Sequence, residues 1–303
     1  MTDEQRKRIT QLKQEKNAII LAHYYAPDEI QQIADDTGDS FYLAKAARKS
    51  DADIIVFCGV SFMGESAKIL CPDKKVLMPD MSADCPMAHM VADGKIAEMR
   101  AKYDDLAVVC YINSTAALKC QSDVCVTSSN AVQIVRDLPN HNIFFIPDRN
   151  LGRYVAEQVP EKNVILNDGC CPIHDAISAE EVRQEKERHP DAPVLAHPEC
   201  GDVILALSDY IGSTAGIIAY AKNSTAGEFI ICTEDGVGYQ LREDNPDKRF
   251  YFPRTRPCCR DMKRNTVENV IRVLETGENE VFVDEAVRTN ALPPLERMLE
   301  YAK

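Results

Sequence analysis

A chain of 303 residues, 45% apolar and 27% charged, has the side chains for sizeable cores and the length of two domains or three small ones. No run approaches the roughly 20 apolar residues of a membrane span, so the chain is not expected to cross a membrane. The formal net charge of −13 argues against a nucleic-acid partner, and any anionic substrate has to be held by local donors against that field.

Residues 1–16 are polar and lack an apolar h-region, so no secretory signal is expected and the chain is read as cytoplasmic. Residues 17–22 (Asn-Ala-Ile-Ile-Leu-Ala) predict a buried parallel strand ending in His23-Tyr24-Tyr25. A helix over 28–34, a loop over 36–40 and a helix over 41–47 with Ser40 as N-cap follow. Residues 54–57 are the next strand, and the strand around Leu77 leads to Cys85. A second pass has a helix over roughly 86–103, then a strand over 106–110 ending in Tyr111-Ile112-Asn113-Ser114-Thr115. Thr127-Ser128-Ser129 precedes a helix over 130–138. A strand over 142–146 ends in Pro147-Asp148, and the strand at Val164 leads to Gly169-Cys170-Cys171-Pro172-Ile173-His174. The third pass opens on a polar helix whose Ser178 and Glu181 fit a capping box. A strand over 193–196 ends in His197-Pro198-Glu199-Cys200, and Gly212-Ser213-Thr214 precedes a helix over 215–221. A strand over 228–232 ends in Thr233-Glu234, and the strand at Phe250 leads to Cys258-Cys259. The remainder reads as helix and tail, with a last helix near 294–301.

The three passes are in register. Strand-end residues 23, 111 and 197 are spaced by 88 and 86, serines 40, 128 and 213 by 88 and 85, and cysteines 85, 171 and 259 by 86 and 88. Three landmarks with one period signal an internal repeat. The expected fold is α/β: three homologous α/β/α sandwich domains with short parallel sheets, in pseudo-threefold arrangement about a central active site. Boundaries are expected at 1–86, 87–172 and 173–303, with the C-terminal tail packing back on the first unit. Ligands of such folds bind beyond the carboxyl ends of the strands, where the polar residues above collect.

Twelve cysteines without an export signal suit buried apolar, metal-ligating or catalytic roles better than disulfides. Cys58, Cys110 and Cys232 lie inside apolar runs and read as core. Cys85, Cys171 and Cys259 stand at equivalent strand ends, and three soft thiolates suit zinc or an iron–sulfur cluster. Three ligands to a cubane leave one iron open as a Lewis acid. Cys170 and Cys258 compete with their neighbours for that role on spacing alone. Ser40, Ser128, Ser213 and Thr214 lie where hydroxyls and helix N–H groups hold anions. His23, Tyr25, Tyr111, Asn113, His197 and Glu199 supply acid–base and positioning groups.

These residues resemble the quinolinate synthase family of de novo NAD biosynthesis over nearly the whole chain. The motifs that carry the resemblance include His23-Tyr24-Tyr25, Gly38-Asp39-Ser40, Gly59-Val60-Ser61-Phe62-Met63, Tyr111-Ile112-Asn113-Ser114-Thr115, His197-Pro198-Glu199-Cys200 and Gly212-Ser213-Thr214. The resemblance implies a cytoplasmic transferase with an oxygen-sensitive [4Fe-4S] cluster. Its three ligands would be Cys85, Cys171 (three residues before His174) and Cys259 (three before Met262). It implies condensation of iminoaspartate with dihydroxyacetone phosphate to quinolinate, with loss of phosphate and two waters. Tyr25, Glu199, Tyr111 and His197 would be catalytic. Substrate would be bound by His23, Ser40, Tyr111, Asn113, Ser128, His197, Glu199, Ser213 and Thr214. The implied partners are these small anions, with no nucleic acid and no membrane. A homodimer and coupling to an iminoaspartate-producing enzyme stay open. Another cluster-dependent hydro-lyase, a cluster-bearing sensor or scaffold, and a zinc protein are the competing readings.

Overall fold

The computed structural model describes residues 1–301 and contains twelve strands among them. They are β1 Ala18–His23, β2 Asp36–Gly38, β3 Ile54–Cys58, β4 Lys75–Leu77, β5 Leu106–Tyr111, β6 Val124–Val126, β7 Asn142–Ile146, β8 Asn163–Leu166, β9 Val194–Ala196, β10 Tyr210–Ile211, β11 Glu228–Cys232 and β12 Arg249–Tyr251. They form three parallel four-stranded sheets of orders β2-β1-β3-β4, β6-β5-β7-β8 and β10-β9-β11-β12. The same winding occurs three times, and helices join the strands. This is the α/β class expected from the alternation of strand and helix signals.

The chain divides into two compact units. One comprises residues 1–89, 108–127 and 260 onward, the other residues 90–107 and 128–259. In the first, Ile20 and Ala22 of β1 and Val56 and Cys58 of β3 share a core with Ile9 and Leu12 of the helix Asp3–Lys16. The helix Val267–Thr276 closes that core with Val267, Val270, Val273 and Leu274. Those four positions recur at the three-and-four spacing that puts apolar side chains on one helix face. In the second unit, Val194 and Ala196 of β9 and Ile230 and Cys232 of β11 pack with Val182 and Ile204 from flanking helices.

Cys58, Cys110 and Cys232 are fully buried, as their apolar surroundings suggested. Burial pushes the Cys58 thiol far up and that of Cys232 up to about 12. Cys110 departs from this pattern. Burial raises it too, but the Cys125 thiol hydrogen-bonded to it and the Lys119 ammonium outweigh burial and bring it down to about 7.

Several local expectations change. The loop over 36–40 begins with β2, and β6 and β10 are strands that the apolar pattern missed. Two or three residues carry no periodicity. They are strand only because a neighbour offers its edge, as Leu21 does to Asp36 and Leu195 does to Tyr210. The helix over 28–34 stops at Gln31, and that over 86–103 breaks into a 3₁₀ turn at Pro86–His89 and a helix at Lys95–Lys102. Gly94, at φ 75°, starts the latter and separates the two. Ser178 does cap its helix, but the Glu181 carboxylate accepts from Thr255 N and Oγ1, both at 2.8 Å. The last helix starts earlier, at Glu285, and runs to Glu300 through Pro293 and Pro294. No described helix is long and apolar enough to cross a membrane.

Candidate active site

The second unit gathers one connected set of polar side chains past its strand ends. His197 and Glu199 follow β9 directly, and each is only 3% exposed. The Glu199 N–H donates to His197 Nδ1 at 3.3 Å, which leaves the imidazole proton on Nε2, 3.1 Å from Ser128 Oγ. Burial lowers the His197 pKa to about 3, against the Glu199 carboxylate that raises it and with His174 that lowers it further. At neutral pH His197 is therefore an uncharged N–H donor.

His174 lies in the short helix Pro172–Asp175, whose entry proline directly follows Cys171. Its Nδ1 is 2.8 Å from Glu199 Oε2 and 3.2 Å from Cys171 Sγ, and its Nε2 is 2.9 Å from Thr233 Oγ1. An ionised carboxylate only accepts, so Nδ1 carries the proton and Nε2 accepts from the threonine hydroxyl. Glu199, His174 and Thr233 thus form a buried carboxylate–imidazole–hydroxyl chain. Cys171, His174 and Glu199 also present ligand atoms within 4.8 Å of one another.

The loop that carries Cys171 is pinned. Arg149 N donates to Gly169 O at 2.7 Å, and a β-carbon on Gly169 would meet Pro147 O at 2.6 Å and Met90 Cβ at 2.8 Å. Only glycine fits that approach. Asp148, fully buried, caps the helix Arg149–Gln158 by accepting from Asn150 N and Leu151 N at 2.7 and 3.0 Å. Burial and the Glu199 charge push its carboxyl well up, against the N–H groups of Leu151, Asn150 and Cys171 that draw it down. Cys170 lies against Asp175. Its thiol is raised by burial and by that carboxylate, while Arg149 works the other way.

Ser128 and Ser213 line one cavity of about 370 Å³ with Ser129, Tyr154, Tyr210 and Gly212. Ser213 caps the helix Thr214–Asn223 by accepting from Gly216 N at 3.1 Å, and Thr214 is its first, buried residue. Ser128 is not a cap, because the next helix begins after Asn130. Cys258 presents its thiol within 4.8 Å of the Glu234 and Asp235 carboxylates, and Cys259 N donates to Glu234 Oε1 at 2.9 Å.

The first unit holds the other expected residues. His23 closes β1 as His197 follows β9, and Tyr25 N donates to His23 Nδ1 at 3.1 Å, which again leaves the proton on Nε2. The rings of His23 and Tyr25 meet edge to face at 4.6 Å, and Lys263 Nζ donates to Tyr25 O at 2.8 Å. Tyr111 is the last residue of β5 and is buried, while Asn113 is half-buried just beyond it. The Tyr111 carbonyl accepts from Ser114 Oγ at 2.8 Å, and buried Lys119 reaches the Ser114 carbonyl. Ser40 is half-buried at the first turn of the helix Ser40–Lys49, but the cap is Asp39, which accepts from Tyr42 N at 2.9 Å. Cys85 is half-buried past β4, and its N–H donates to Asp84 Oδ1 at 2.8 Å.

Residues 7–300 match the family described as Quinolinate synthetase A protein. The chain belongs to that family. It is 53% identical over 295 residues to the quinolinate synthase of Fusobacterium nucleatum subsp. nucleatum, covering 97% of this chain and 98% of that one. Those of Clostridioides difficile (strain 630) and Caldicellulosiruptor saccharolyticus are each 50% identical over 295 residues, with 97% of both chains covered. Within the family fold, His174 and Thr233 are the polar partners that reading the sequence did not assign. The signal for His174 was its place three residues after Cys171, and for Thr233 its place at the end of β11.

Proposed function

We propose that this chain is a quinolinate synthase that condenses iminoaspartate with dihydroxyacetone phosphate, releasing phosphate and two waters. Family membership over residues 7–300 supports the activity, and the observation that carries the chemistry is the buried Glu199–His174–Thr233 chain beside Cys171.

The residues fit an iron–sulfur cluster by their chemistry. Cys85, Cys171 and Cys259 are half-buried thiols past the fourth strand of each sheet, whereas the core thiols of Cys58 and Cys232 are sealed and hard to ionise. We assign these three as ligands of a [4Fe-4S] cluster, whose remaining iron, when the cluster is bound, supplies Lewis acidity toward substrate oxygens. Glu199 takes a substrate proton, and His174 orients that carboxylate through Nδ1–H while the Thr233 hydroxyl fixes the ring at Nε2. His197 holds its proton at Nε2 and offers it to a substrate anion in place of Ser128 Oγ. Ser213, Thr214 and Ser128 hold an anionic group at the N-terminus of the helix Thr214–Asn223, where local donors offset the net charge of −13. Tyr25, His23, Tyr111, Asn113 and Ser40 complete substrate binding from their own strand and helix ends, with Tyr25 and Tyr111 as further acid–base groups. Each sheet with its helices is one repeat, over 1–86, 87–172 and 173–303.

The test is anaerobic turnover of iron-loaded protein with dihydroxyacetone phosphate and freshly generated iminoaspartate. Quinolinate forms with wild type and disappears with Cys171→Ser. Protein that carries four irons and makes no quinolinate would refute the assignment.

A further inference from the structure

Two of the cysteines assigned to the cluster donate their backbone N–H to a carboxylate. Cys85 N donates to Asp84 Oδ1 at 2.8 Å; that oxygen also takes Ser61 Oγ, and Asp84 Oδ2 meets His89 Nε2 at 2.7 Å. Cys259 N donates to Glu234 Oε1 at 2.9 Å, while Glu234 Oε2 accepts from Gly236 N at 2.7 Å. Asp148, at the equivalent place in the second sheet, spends its Oδ1 on Asn150 N and Leu151 N. Asp148 and Glu234 are both fully buried, each lies two residues past a strand end (β7 and β11), and 86 residues separate them. In the first sheet Ser61, just past β3, does the same work through Asp84. In the first and third sheets a polar group after the third strand thus acts on the cysteine after the fourth.

We propose that Asp84 and Glu234 are positioning residues that hold the main chain of Cys85 and Cys259 and keep their N–H groups off the sulfurs. The inference rests on the cluster assignment above. Hydrogen bonds to cluster sulfurs and nearby positive charge favour reduction, and nearby carboxylates oppose it. Tying up the N–H groups therefore keeps electrons out of the cluster, which suits a Lewis acid rather than an electron carrier. It also fixes each loop before metal arrives, so less ordering is left for cluster binding.

The test uses the full chain, anaerobically reconstituted, with iron and sulfide counted per chain and the midpoint potential read by EPR-monitored titration. Asp84→Asn and Glu234→Gln each keep one oxygen that accepts the cysteine N–H, so both retain the wild-type iron complement, the glutamine giving up only the bond from Gly236 N. Their midpoint potentials shift to more positive values as the negative charge is lost. Glu234→Ala, which frees the N–H, loses iron. Asp84 is half-exposed, so Asp84→Asn carries the comparison even if the buried Glu234 variants fold poorly. Wild-type potentials in Glu234→Gln and Asp84→Asn, or full iron at the wild-type potential in Glu234→Ala, would overturn the proposal. Wild type that takes up no iron, or Cys171→Ser that keeps the full complement, refutes the cluster assignment instead and shows before any carboxylate variant is compared.

Discussion

His23 and His197 are built alike: in each the ring Nδ1 accepts the N–H of the residue two places on, and the proton sits on Nε2. A histidine at a strand end is visible in the sequence; the tautomer is not, because it depends on the turn that brings the later N–H round. The same limit hid the Glu199–His174–Thr233 chain, whose bonded pairs are 25 and 59 residues apart along the sequence. Glu199→Gln removes the proton acceptor and should lower kcat by about 10²–10⁴-fold with the far-UV dichroism unchanged. Thr233→Val leaves a buried imidazole nitrogen without its hydroxyl and should cost about 1–3 kcal/mol, seen as a lower Tm together with slower turnover. His197 gives a pH prediction. Its folded pKa of about 3 lies below its ordinary 6.5, so between those values the unfolded chain binds a proton that the folded one refuses. Stability should fall as pH drops from 6.5 toward 3, with this residue's slope approaching about 1.4 kcal/mol per pH unit. His197→Asn should flatten the dependence of Tm on pH across that window; an unchanged slope would contradict the assignment.

Among the elements, long strands and the serine-marked helices were legible, because apolar runs of five or six residues and hydroxyl-plus-helix signals survive without tertiary context. The caps were legible only in part. Ser213 caps its helix, whereas Asp39 takes that role beside Ser40 and Ser128 stands ahead of its helix altogether. An aspartate and a serine side by side can each cap, and the backbone at the turn decides between them. Ser213→Ala and Asp39→Ala should each cost about 1 kcal/mol in thermal unfolding, while Ser40→Ala should leave Tm unchanged. Both serine variants should raise the KM for the phosphate-bearing substrate. A Ser40→Ala protein as destabilised as Asp39→Ala would contradict the cap assignment. The short strands β2, β6 and β10 were not legible at all, since two or three residues become strand only against a neighbour's free edge.

For the molecule as a whole, spacing carried more than composition did: one period near 86 residues gave three sheets of identical strand order. Composition did set one global property, the net charge of −13, which opposes the approach of the proposed anionic substrates. Raising ionic strength from about 0.01 to 0.15 M shortens the reach of that field from about 30 to 8 Å. kcat/KM should therefore rise over this range while kcat stays level; a falling kcat/KM would mean that local cations dominate the approach instead.

Residues 267–274 of the late helix fill the same core as Ile9, Leu12 and Ile20. On the ribosome, then, the first strands to emerge cannot finish their core until a helix some 250 residues later has been made. The unit that is first synthesised is the last to close. Through most of translation that flank of β1 and β3 is covered only by the helix Asp3–Lys16. Chains interrupted after residue 259 would carry all three cysteines proposed as ligands and yet lack the helix that seals the first unit.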